Sequence, residues 1–349
     1  MSDFGIVYTS RERVIDGIDG GMSPEAKLRI DEAMESASRG VEGMIKRRLY
    51  PEIRTHKVDW PTRFSGRSWR VWLGAWNELI SLTSVTSGGV SISTDDILLY
   101  PNEGPPYNRL EINIGSAGAF LTSTSYQQSI EILGLGGWSD DQATVGSTAS
   151  SINSSDTVVD VTNSAKVGVG TILKIGSERM VVGDRGWLTS GQTLQADMTA
   201  QKSSTSVAVT NGATFFVSEY ILLDSETMVI ESIVGNTLIV RRSGTGSVLA
   251  THSGSTIYVP RRLTIRRAIL GTTATSHSSP ATVTRWVPPR LIESLTVAEA
   301  TSVFLAENSG YARTVGSGES ERELRGNSLT DLRAQAQAVY GRNFLHRAV

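Results

Sequence analysis

The chain contains no cysteine, which excludes a disulfide framework and a thiolate metal site. Its only imidazoles are His56, His252, His277 and His346, and no two lie three to five positions apart, so no compact pair of metal ligands stands out. Charge of either sign is not in excess: 33 Lys and Arg against 35 Asp and Glu leave a formal charge of −2. That balance lacks the basic footprint of a protein that grips phosphates. No Gly-Lys dipeptide occurs, which removes the P-loop, and neither G-x-S-x-G nor a complete G-x-G-x-x-G is present. Nowhere do eighteen apolar residues run together, and the start, MSDFGIVYTSRERV, lacks a basic stretch leading into an apolar one. A soluble, unprocessed product without a membrane partner is therefore expected.

What is present, in quantity, is repetition. Residues 154–182 align without a gap onto 202–230, and Thr162/Thr210, Asn163/Asn211, Ala165/Ala213, Ser177/Ser225, Glu178/Glu226 and Met180/Met228 recur at an offset of 48. A second echo has an offset of 25: 241–253 and 266–278 both open on an arginine pair, continue to Gly246 or Gly271, and reach His252 or His277. What repeats is strand pattern and turn chemistry, so 139–286 reads as an all-β module built of duplicated units, useful for surface and shape.

The flanks read differently. Ser23 as N-cap, Pro24 at the first helical position and the stripe Ala26, Ile30, Ala33, Ala37, Val41, Met44 predict a helix over 23–49 stopped by Pro51. A short helix is expected near 10–18. Alternation at Trp69, Val71, Leu73 and at Ile80, Leu82, with a Gly88-Gly89 turn, predicts hairpins from 58 to 133. Helices return after Pro288-Pro289, one striped by Leu291, Leu295, Ala298, Ser302 and Leu305, another by Leu329, Leu332, Ala336 and Val339.

Few residues invite chemistry. His252 and His277 hold matched positions in the echo, so a shared metal site is conceivable, against the plainer reading of turn histidines bonded to their own loops. Asp95-Asp96, Asp140-Asp141 and Asp224/Glu226 are adjacent carboxylates, which more often form solvated turns than a pair facing across a cleft. Trp60, Trp69, Trp72 and Trp76 suit core and interface packing better than base or sugar stacking. The Asn153-Ser154-Ser155 sequon matters only in a secreted protein.

The flanking blocks also resemble a known family. AMESASRGVEGMIKRRLYP (33–51), Asp59-Trp60-Pro61, WRVWLGAWNELISLTSVTSGGVSI (69–92), DILLYP (96–101), PPYNRLE (105–111), ENSGYARTVGSGESER (307–322) and SLTDLRAQAQAVYG (328–341) follow one another as in the head-to-tail connector, or adaptor, proteins of long-tailed bacteriophages, those of actinobacterial phages above all. The resemblance implies an α+β chain: a helical-bundle core with a small β-sheet over 1–138 and 287–349, carrying the inserted β domain 139–286. It implies a structural virion protein at the neck, made in the host bacterial cytoplasm, with no enzymatic activity, catalytic residue, cofactor or metal. Its partners would be further copies of itself in a ring of about twelve, the portal protein, and a stopper or tail-terminator protein; the β insertion, which the compact members of the family lack, is expected on its own account to brace the neck against capsid or tail proteins. Genomic DNA would pass through the ring without sequence-specific binding. The C-terminal segment 341–349 would reach the portal, with Phe344 and Leu345 as apolar anchors and Arg342 and Arg347 as rim charges. The competing reading from the repeats is a glycan- or receptor-binding protein of the virion.

Overall fold

The computed structural model describes residues 5–18, 22–61, 67–74, 76–308, 314–315, 322–323 and 327–342. The chain opens with α1 (Arg11–Ile15) and α2 (Pro24–Ile45). Seven strands follow: β1 (Glu52–Val58), β2 (Arg70–Trp72), β3 (Leu79–Ser87), β4 (Val90–Ile92), β5 (Ile97–Tyr100), β6 (Arg109–Ile112) and β7 (Ile130–Gly136). Ten more are β8 (Gln142–Ser147), β9 (Val158–Asp160), β10 (Ile172–Ile175), β11 (Glu178–Thr193), β12 (Ser206–Ala208), β13 (Tyr220–Leu223), β14 (Glu226–Val234), β15 (Thr237–Arg241), β16 (Thr256–Arg266) and β17 (Thr282–Trp286). Helices α3 (Arg290–Asn308) and α4 (Asn327–Tyr340) come last.

This corrects the expected helical bundle with a small sheet. Strands make up 35% of the chain and helices 22%, and α1 is a helix of 5 residues. The cause lies between 52 and 136, where apolar residues recur with period two. In β7 burial alternates along the whole strand, with Ile130 and Ile132 turned inward, so one face closes a sheet against the core.

Two compact units result. One comprises 40–141, 270–272 and 334–349. Here a four-stranded antiparallel sheet, order β1-β7-β3-β4, and a three-stranded sheet, order β2-β6-β5, share a core of Val71, Leu79, Val85, Leu110, Ile130 and Ile132 with their neighbours. The segment 270–272 joins this unit through the Ile53 amide, which donates to the Leu270 carbonyl at 2.9 Å. Gly271 beside it has φ +75°, and a Cβ there would collide with the Ile53 carbonyl.

The other unit comprises 1–39, 142–269 and 273–333. Its helices form one apolar cluster in which Val14, Ile15, Ile30, Met34, Ala300 and Phe304 meet Val169. Arg11 and Asp31 pair inside it, with Nε to Oδ1 at 2.8 Å, and Ser23 caps α2 by accepting from the Ala26 amide at 3.1 Å. The buried face of α3 is Ile292, Leu295, Thr296, Ala300 and Phe304, rotated from the stripe predicted through Leu291 and Ala298.

Ten strands of this unit form one antiparallel sheet, β12-β15-β14-β13-β16-β11-β10-β17-β8, with β9 against β16. Its registers reveal how copy A, the repeat that holds 154–182, and copy B, the repeat that holds 202–230, are joined. In copy B, β14 and β15 form a hairpin through Val229↔Arg241, Ile230↔Val240, a bulge, Ser232↔Ile239, Ile233↔Leu238 and Val234↔Thr237. In copy A the equivalent ladder joins β11 to the far end of β16, through Val181↔Arg266, Val182↔Ile265, a bulge, Asp184↔Thr264, Arg185↔Leu263 and Gly186↔Arg262. Offsets of 48 and 25 relate every rung. Where copy B closes its hairpin with Gly235-Asn236, copy A instead contains all of 187–261. Copy B is therefore nested inside a hairpin of copy A. Outer strands match as well: β8 lies against β17 as 188–193 of β11 lies against 256–259 of β16.

The cores confirm the nesting. Copy A buries Ile152, Val159, Val161, Leu173, Ile175, Met180, Val182, Leu263 and Ile265; copy B buries Met198, Val207, Val209, Ile221, Leu223, Met228, Ile230, Leu238 and Val240 at the matching positions. Neither cluster borrows a residue from the other copy.

Candidate functional site

The residues that the two echoes single out converge on one device, built twice. A two-residue turn whose first member has positive φ, Gly176 at +59° or Asp224 at +51°, starts β11 or β14 on a glutamate. Glu178 and Glu226 are both 0% exposed. A buried carboxylate must be fully partnered, and both are. Glu226 takes Arg242 Nε at 2.8 Å and Nη2 at 2.7 Å, His252 Nε2 at 3.0 Å, and the amides of Ala250 and Ser243 at 3.0 Å each. Glu178 takes Arg267 Nε at 2.9 Å and Nη2 at 2.6 Å, His277 Nε2 at 2.9 Å, and the amides of Thr275 and Ala268 at 3.1 and 3.3 Å. The arginines then donate to carbonyls of the preceding loop, Arg242 to Thr199 and Ser204, Arg267 to Asn153 and Asp156. Each glutamate thus clasps the loop after its own hairpin to the loop before it.

Burial alone would raise both carboxyls; the hydrogen bonds from arginine, histidine and backbone outweigh it and hold Glu178 and Glu226 at about 2. Histidines 252 and 277 belong to separate clasps. His252 also meets Asp224 through Nδ1 at 2.7 Å. Among the described residues no group of three His, Asp or Glu side chains is arranged to hold a metal. Asp224 lies in the turn rather than in a strand beside Glu226. A third buried carboxylate, Glu219, binds Arg261 through Nε at 2.8 Å and Nη2 at 2.7 Å and accepts from the Ser164 hydroxyl at 2.9 Å.

The other singled-out residues scatter. Asp95 and Asp96 sit in a short 3-10 turn, Thr94–Asp96. His56 is buried in β1, and burial, with Arg54 and Arg48 nearby, lowers it to about 4. Trp60 packs on the sheet core and donates Nε1 to the Phe120 carbonyl at 2.7 Å. Trp72, by contrast, is 54% exposed. It opens a cross-strand row, Trp72↔Arg109↔Tyr100, on β2, β6 and β5; the Arg109 guanidinium lies 5.0 Å from the Trp72 ring and 4.4 Å from that of Tyr100. Leu98 in the adjoining row is 42% exposed. Arg342 is mostly enclosed, its amide donating to the Ile45 carbonyl at 3.1 Å and its side chain to that of Gly74, 3.9 Å from Glu78. Phe344, Leu345, His346 and Arg347 lie outside the described residues.

Sequence reasoning found the glutamates, arginines and histidines of the clasps as separate recurrences and missed that they meet. The signal was there: the offset of 48 carries the glutamate, the offset of 25 carries the arginine and histidine, and one ion cluster needs both. In comparisons with family models, curated proteins and solved structures, none matches this chain.

Proposed function

We propose that this chain is a structural virion protein, a head-to-tail connector that forms a ring below the portal, joins capsid to tail and continues the DNA channel. The observation that carries the reading is the row of exposed Trp72 with half-buried Arg109 and Tyr100, and exposed Leu98 beside it. It lies on strands drawn from the very blocks, 69–92, 96–101 and 105–111, that resemble connectors. Trp, Tyr and Arg are the side chains that dominate protein interfaces. A closed ring needs two different complementary patches per subunit, and this face serves as one of them. Repetition supplies the strength, since weak portal contacts act at high effective concentration once one subunit is seated. The clasped repeats would add a stiff outward element toward capsid or tail proteins.

Cryo-electron microscopy of the purified protein, alone and with portal, tests this: rings of about twelve subunits are expected, and Trp72→Asp should abolish them while leaving a folded subunit. A protein that stays monomeric at high concentration and with portal present overturns the reading. A second reading, glycan binding by the repeats, draws on Trp187 and Tyr258, 39% and 38% exposed on the paired strands β11 and β16. A glycan array decides it.

A further inference from the structure

The two copies differ at two positions where their cores should match. Arg185 stands where copy B has Ile233, and Arg285 stands where it has Val259. In copy B both side chains are apolar, Val259 being 1% exposed within the cluster and Ile233 packed against it. A guanidinium in such a place loses its hydration and demands acceptors. These two do not obtain a full set. Arg185 is 9% exposed and reaches Glu12 through Nη1 at 3.2 Å, but its Nε and Nη2 have no acceptor; the Nε of Arg285 and the Oγ1 of buried Thr9 are likewise unpartnered.

All three residues line one cleft of about 450 Å3 walled by the N-terminal segment, copy A and part of copy B. Arg13, Lys166, Arg241 and Arg290 add positive charge to its walls, against Glu12, Asp16 and Glu293. The cleft is thus cationic in a chain that is slightly acidic as a whole. Elsewhere in the same fold the Nε/Nη2 edge has a consistent use: Arg242, Arg261, Arg267 and Arg333 each present it to both oxygens of a glutamate. Two parallel N–H donors match a planar carboxylate.

We infer that this cleft binds an acidic segment of another protein, an Asp or Glu side chain taking the Nε/Nη2 edge of Arg185, shut off from solvent in this structure, as the arginine turns toward the cleft, with Arg285 beside it. Burial lowers the pKa of Arg285, Glu293 offsets part of that, and Arg13 and Arg290 lower it, so an incoming anion would add to the compensation Glu293 supplies. Val7, Tyr8, Trp286 and Pro288 give apolar wall for the residues that flank the carboxylate. A nucleic acid fits less well, since its row of phosphates would run past Glu12, Asp16 and Glu293. The site is complete within one subunit and holds whether or not the chain forms rings.

The test is titration of the full-length protein with a blocked tetraglutamate peptide by calorimetry at 0.15 M salt, with inorganic phosphate and a short DNA duplex as parallel arms. Saturable peptide binding is expected, at least tenfold weaker in Arg185→Lys, which keeps the charge and loses the fork, and likewise weakened in Arg290→Glu. Arg290 is exposed, so this second variant folds normally and reads the question even if Arg185→Lys does not. No peptide binding, peptide binding unchanged in the variants that fold, or phosphate or DNA binding as tightly as the peptide overturns the proposal.

Discussion

Glu226 shows what a single side chain does here. It binds one arginine, one histidine and two amides, so Glu226→Gln leaves Arg242 buried at 1% exposure with its charge uncompensated. Removing one member of such a pair costs about 3–5 kcal/mol, and denaturant unfolding should register that loss; Glu178→Gln should behave alike in copy A. Acid should do the same reversibly. A glutamate in the unfolded chain titrates near 4.3, whereas both clasps hold theirs at about 2. Their stabilisation is therefore complete above the unfolded value and is lost as pH falls toward 2. Melting temperature should drop through that window in the native protein and less steeply in the Gln variants. The clasp was half legible: Ser-Glu, Arg-Arg and Thr/Ser-His-Ser each recur in the sequence, but which glutamate meets which arginine depends on strand register across 89 positions in copy A.

Among the elements, the hairpin of copy A is the informative one. Its last rung, Gly186↔Arg262, matches Val234↔Thr237 in copy B, and the core of copy A uses nothing between 187 and 261. Replacing 187–261 by Gly-Asn, the turn of copy B, should leave 142–286 folded, at a cost of about 1 kcal/mol for the lost hydrogen bonds from the Ser164 amide and hydroxyl to Glu219. Residues 187–261 expressed alone should fold too, marginally, as their size implies. Circular dichroism and cooperative melting check both; a molten excised protein would show that the copies support one another. Helix α2 was readable from its cap and stripe. The face of α3 was not, because Ile292, Val297, Val303 and Phe304 make a second apolar side that periodicity alone cannot rank against the first.

For the whole molecule, the resemblance of the flanks implied a bundle, yet α1, α3 and the repeats fall into one unit and the seven early strands into another, with α2 and α4 divided between them, each unit assembled from three separate stretches of chain. Pairing at such separations leaves no local trace. Leu110, 0% exposed at the centre of the strand unit, tests that unit by itself: Leu110→Ala should cost about 2–5 kcal/mol. Hydrogen exchange should then rise in β2, β5 and β6 while β10–β15 keep their protection.

Because the inner copy departs from and returns to its host on neighbouring rungs of one ladder, its two ends sit side by side. That is the geometry of an interchangeable cartridge: any domain whose termini emerge as an antiparallel pair can be spliced between 186 and 262 without disturbing the strands that receive it. The inner copy can therefore be swapped for another domain while its host stays constant.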